Sequence, residues 1–208
     1  MTSLRLLEAY WRGLAEPSGT VPLRSQIDPR GIESVLEYAF LAERIAPSLA
    51  KLRVAGTHLN DLMGMETGGM PLSALFAPDA RDRLGEGVGR LFSEGAMVRL
   101  DLTGEEGFGR GGLQGHMLLL PLRSDMGDMT RMIGALCTTG RIGRTPRRFR
   151  ISGMTVTPAL SGAIAAAADP APDRRLRELA EPPAAFIPKD GERRRAVPHL
   201  RLVVSNDD

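Results

Sequence analysis

The sequence predicts an α+β fold, and three observations carry that expectation. Apolar residues recur at spacings of three and four in several segments before Gly95, the period of helices packed on a core. After Gly95 the period changes to alternation, and apolar segments separated by turn residues follow one another. From residue 159 the composition shifts to alanine and then to proline with mixed charge, the pattern of a flexible tail.

The elements follow in order. Leu4, Leu7, Trp11 and Leu14 form one stripe of a short helix. After a loop with Pro17, Gly19 and Pro22, Asp28 and Pro29 supply an N-cap and a first-turn proline. Ile32, Val35, Leu36, Ala39 and Phe40 then predict a second helix, ended by Pro47. In Arg53–Gly64 the chain reads as a strand over Val54–Leu59, with His58 facing as Val54 does. A covering helical turn follows over Asn60–Gly64, and Gly68-Gly69 make a bend. Ala80, Leu84, Val88, Leu91 and Phe92 predict a longer helix, weakened by Gly85, Gly87 and Gly89 at about 1 kcal/mol each. Val98, Leu100 and Leu102 alternate as a strand, Gly104–Gly112 turns, and His116–Leu122 and Met132–Cys137 complete a three-stranded antiparallel meander. Leu176–Leu179 suggests one helical turn and His199–Val204 a short strand that could add to a sheet edge.

The bulk properties narrow the function. A chain of 208 residues with 42% apolar residues supports one core, but only 4% are aromatic, so aliphatic residues and ten methionines must fill it. Cys137 is the single cysteine, which excludes an internal disulfide and any CxxC site. Leu4–Leu14 is interrupted by charge, and Ala163–Ala168 is far shorter than the roughly 18–20 apolar residues that span a bilayer, so no leader or transmembrane segment is expected and the expected location is the cytoplasm. Net charge is +2, yet no acidic residue lies between Asp128 and Asp169 while six arginines do. Any anion-attracting face therefore belongs to the folded body.

Three blocks, Pro22–Pro29, Arg53–Leu59 and Phe149–Ile151, resemble a family of small, stand-alone bacterial PAS-like proteins across residues 10–155. The element order is similar to that of a PAS domain: a strand pair, short helices, one longer helix and a three-stranded meander. The resemblance implies a PAS-like five-stranded antiparallel sheet covered on one face by short helices, used for sensing or protein contact and not for catalysis. Asn60 stands only four residues before Gly64, a shorter spacing than in the Asn–Gly block of many sensory PAS domains, so no functional residue is carried over. The expected organisation is an N-terminal helix over 1–20 that could dimerise, a PAS-like domain over 21–158 and a tail over 159–208.

The candidate residues are few. Under the helices, His58, Met63, Met65, Leu100, Leu118 and Cys137 are the expected lining of a ligand pocket, although packing alone explains the methionines and a buried thiol explains Cys137. Arg141, Arg144, Arg147, Arg148 and Arg150 are a candidate anion-binding patch, since guanidinium forks fit phosphate. Leu7, Trp11 and Leu14 face either the sheet or a second copy. Gly107–Gly112 satisfies G-x-G-x-x-G, but a strand follows where a phosphate-holding helix is needed, so it reads as a hairpin loop. His58, His116 and His199 lack metal-ligand spacing, and no catalytic motif occurs.

The sequence thus predicts a non-enzymatic PAS-type signalling module that acts through protein–protein contact, with a small ligand in the pocket as a further option. The alternative is an arginine face that binds a nucleotide second messenger or an anionic membrane surface. A homodimer and a signalling partner are expected. No metal is expected, nucleic acid is not, and no cofactor is required. Neither haem nor flavin is expected, and haem in particular would find no histidine in Pro78–Phe92.

Overall fold

The computed structural model describes residues 2–109 and 111–160. The sequence-predicted turn over 176–179, the strand over 199–204 and all but the first two residues of the expected tail lie outside them.

Helix α1 (Thr2–Ala15) forms where the stripe predicts it and buries Leu4, Leu7, Trp11 and Ala15. Asp28 also acts as foreseen: its Oδ1 accepts from the Arg30 N–H at 2.9 Å, and Pro29 follows at the first turn. The helix expected there does not form. Pro29–Val35 is a run of tight 3₁₀ turns broken at Ile32 (φ −127°, ψ 23°), and strand β1 (Ala39–Ala46) follows. The reason is two-sided burial. Phe40 and Ala42 enter one core and Leu41 packs against the other, so the strand lacks the alternation that separates strand from helix in a short apolar run.

Strand β2 (Leu49–Ala55) is likewise earlier than expected, and helix α2 (Thr57–Met63) begins at once after Gly56. A Cβ at Gly56 would run into the carbonyls of Leu36 and Glu37, so only glycine lets the chain turn there. His58 and Asn60 therefore sit on a helix, not on and just after a strand. Asn60 Oδ1 accepts from the Thr67 N–H at 2.9 Å and its hydroxyl at 2.8 Å, which organises the glycine-rich bend. Short turns at Leu72–Leu75 and Pro78–Ala80 lead into α3 (Arg81–Glu94). Gly95 ends α3 in the left-handed conformation at φ 63°.

Strands β3 (Ala96–Gly104), β4 (Leu113–Leu122) and β5 (Arg131–Gly140) make the expected meander, each longer than its sequence pattern. A sixth strand, β6 (Phe149–Pro158), was not foreseen. It pairs with β3 from Ala96↔Pro158 to Gly104↔Phe149. The sheet is thus six-stranded, in the order β2-β1-β5-β4-β3-β6, with every neighbouring pair antiparallel.

The inner face carries α2, the 72–75 and 78–80 turns and α3, the cover of short helices expected. Phe40, Leu59, Phe76, Leu91, Met117 and Phe149 lie in the core between them. The outer face has its own core, where α1 and the 29–35 turns pack on Met97, Leu118, Leu120, Leu122, Ile133 and Ala135. Helices therefore cover both faces, since the stripe of α1 meets the chain's own sheet. Trp11 fixes the helix there by donating its indole N–H to the Pro121 carbonyl at 2.8 Å. Among the described residues no helix is long and apolar enough to cross a membrane.

Candidate functional site

The structure separates the six residues expected to line an interior pocket, the three on strands by parity. Met63 and Leu100 are in the inner core, whereas Leu118 is in the outer core and Cys137 packs against it. Met65 is 55% exposed. His58 stands at the start of α2, its Nε2 3.0 Å from the Thr138 hydroxyl and its ring edge-on to Tyr38 at 5.1 Å. The six do not converge, and the core under α2 and α3 is built from other buried side chains as well. Four phenylalanines of the chain's six, Phe40, Phe76, Phe92 and Phe149, are buried in that core.

The electrostatics of these residues are those of packing. Burial pushes the His58 imidazole below its ordinary range, with Asp61 and Glu37 pulling the other way. Burial raises the Cys137 thiol, which disfavours its thiolate form. Among the described residues no group of three His, Cys, Asp or Glu side chains is placed to hold a metal ion.

The five arginines also take different roles. Arg147 is fully buried. Its guanidinium donates to the carbonyls of Gly111 at 2.9 Å, Glu105 and Arg141 at 3.4 Å, and Ile142, while its backbone N–H donates to the Leu62 carbonyl at 2.7 Å. It ties the β3–β4 loop, the β5–β6 loop and the end of α2 together, so it is not part of a surface patch. Arg150 pairs with Asp79 at 3.3 Å. Arg148 is partly buried, and its carbonyl accepts from the Glu105 N–H at 2.8 Å. Only Arg141 and Arg144 share one site. Both are exposed and line a groove of about 710 Å³ with Gly107, Gly109, Gly111 and Gly143. The Arg144 N–H donates to the Gly109 carbonyl at 2.9 Å, which joins the two loops.

Of the expected dimer stripe, Leu7 and Trp11 are buried on the chain's own sheet and Leu14 is partly buried there. Leu7 and Trp11 thus meet the chain's own sheet, one of the two expected options, and Leu14 keeps part of its surface open.

A second opening was not foreseen. A cleft of about 670 Å³ runs between α3 and the β1–β2 turn, lined by Pro47, Ser48, Leu49, Leu72, Leu84 and Val88 and rimmed by Arg44, Arg81, Asp82, Glu86 and Arg90. Gly85 and Gly89, one helical turn apart, keep it open, for a Cβ at Gly85 would lie 3.4 Å from Ser48. Gly87 points the other way, where Val98 and Met154 pack on it at close range. The triplet that reads in sequence as a weakness of the helix is thus shaped by a neighbour on each side.

A six-stranded antiparallel sheet with short helices and one longer helix inside and an N-terminal helix outside defines an α+β module. The family described as PAS domain matches residues 1–137, more than half of the chain, and the chain belongs to it. The match includes α1 and stops before β6. Among solved structures, the chain is similar to a light-oxygen-voltage domain studied with a flavin analogue: 15% identity, 54% of this chain and 84% of that one, TM-score 0.42. It is also similar to the light-state LOV domain of the blue-light photoreceptor Aureochrome1, at 13% identity, 54% and 88% coverage and a TM-score of 0.39. An RNA-binding light-oxygen-voltage receptor aligns at 19% identity over 57% of this chain and 36% of its own, with a TM-score of 0.40. None of their ligands or activities passes to this chain on that likeness. No protein of curated function matches it.

Proposed function

We propose that this PAS domain is a signalling module that acts by contact with a partner protein at the cleft between α3 and the β1–β2 turn. The observation that carries this reading is the contrast between a filled interior and an open cleft. Phe40, Phe76, Met117 and Phe149 occupy the space beneath the helices, whereas Leu49 is 43% exposed beside a cleft with a charged rim. Apolar floor and polar rim are the composition of a protein–protein contact. In this reading no small ligand in the interior controls the module, and no catalysis is involved.

A photo-crosslinking residue placed at Ser48 tests it in cells that make the protein. The expected result is one discrete adduct that is lost with Leu49→Asp and absent when the same residue is placed at Thr155 on β6. Equal adducts from both positions, or none, would remove the cleft from the argument. Adding flavin mononucleotide or haem to the purified chain is expected to leave Tm unchanged; a rise would show that the interior opens to a ligand.

A further inference from the structure

We propose that the loop end of the sheet, with Phe108 at its tip and Arg141 and Arg144 beside it, docks the protein on an anionic membrane surface. Phe108 is 93% exposed, the most exposed large apolar side chain among the described residues. It stands in the β3–β4 hairpin loop between Gly107 and Gly109, two residues that carry no side chain to cover the ring. Arg144 lies on the same side: Phe108, Arg144, Thr145 and Pro146 line one shallow groove, and Arg141 and Arg144 line the next. The acidic residues of the hairpin, Glu105 and Glu106, open instead on a separate groove beside Thr103 and Arg150. The tip is therefore apolar and its flank basic. An aromatic ring that enters the headgroup boundary while arginines meet lipid phosphates is the arrangement of a peripheral membrane contact.

The mount of this tip is firm. Arg147 holds the carbonyls of Glu105, Gly111, Arg141 and Ile142, and two backbone hydrogen bonds, Arg144 to Gly109 and Glu105 to Arg148, close the loops on each other. Phe108 and the two arginines are thus presented together, which lowers the ordering cost of binding. A soluble phosphate ligand would use the arginines but has no need of an exposed ring, whereas a membrane surface engages both.

The test is flotation of the full chain with vesicles of phosphatidylcholine alone or mixed with phosphatidylglycerol, at low and high salt. The expected result is binding to the anionic vesicles only, weakened by salt. Phe108→Ser should weaken it on the order of tenfold, from the lost apolar transfer. The double variant Arg141→Ala, Arg144→Ala should weaken it on the order of tenfold or more and flatten the salt dependence. Ile45→Ser, an exposed apolar residue on β1, should bind as the unaltered chain does. All the replaced side chains are exposed, so an unchanged Tm shows that each variant folds. Equal binding by Phe108→Ser and the unaltered chain, an equal loss with Ile45→Ser, or no vesicle binding at all would overturn the proposal. Calorimetric binding of inorganic phosphate that needs Arg141 and Arg144, without vesicle binding, would assign the arginines to a soluble anion and also overturn it.

Discussion

The inner face of the sheet meets its helices through apolar side chains: Phe40 and Leu52 from β1 and β2, Leu100, Met117 and Leu136 from the meander, Phe149 from β6. The outer face begins in the same way, with Leu118, Leu120 and Ile133 under α1. It then changes character along the same strands. Arg99 on β3 reaches Glu8 of α1 in an ion pair at 2.5 Å, and Glu8 also pairs with Arg12 at 3.0 Å. Burial works against the Glu8 carboxylate, but the two guanidinium groups outweigh it and hold its pKa below the ordinary range. Beyond α1, Asp101 and His116 face each other across β3 and β4, with Oδ1 2.8 Å from Nδ1. Shape thus holds the inner cover, while an apolar anchor and the Glu8 ion pairs at its edge hold the outer one. Shape tolerates little change; ion pairs at a helix edge tolerate more.

The largest test of that contrast removes shape. Phe149→Ala, at a fully buried ring of the inner core, should cost about 4 kcal/mol in urea unfolding; a loss near that of a surface change would show that the inner core is loosely packed. On the outer face, Trp11→Phe keeps most of the ring but removes the hydrogen bond to the Pro121 carbonyl, and about 1 kcal/mol should be lost. A Trp11 variant as damaging as Phe149→Ala would make the two faces equivalent. Glu8→Gln breaks the ion pairs of α1 and should cost only about 0.5 kcal/mol, less at high salt, by the same unfolding measurement.

The smallest effect is a pH slope from His58, whose ring links α2 to β5 through Thr138. Its folded pKa is depressed, so between the folded value and the ordinary value of about 6.5 the unfolded chain binds more protons. Its contribution is therefore fully present above the unfolded pKa and lost as pH falls toward the folded one. His58→Gln should remove that slope from a Tm-against-pH profile, and an unaltered slope would exclude His58 as its source.

Helices α1 and α3 were legible in the sequence because each has one buried stripe, and the meander was legible because its strands are joined by glycine-rich or polar turns. Strand β1 was not, since burial on both faces erases the alternation that marks a strand. The candidate pocket failed through parity. Met117, Leu119 and Leu136 point inward, so Leu118 and Cys137 point outward, and a one-residue step moves a side chain from one face to the other. The arginine cluster was visible as a run of charge, but nothing in its spacing marks Arg147 as the one that turns inward. The acceptors it meets there are main-chain carbonyls of two loops, which any residue type supplies, so they leave no mark in the sequence. The cleft beside α3 did leave a signal in Gly85 and Gly89.

A guanidinium clamped on carbonyls from two separate loops also sets a rule for descent. Because Arg147 measures the gap between Glu105–Gly111 and Arg141–Ile142, neither loop can gain or lose a residue while the other stays the same. Relatives that keep this arginine should hold both loop lengths constant, and those that have lost it should show insertions or deletions in either.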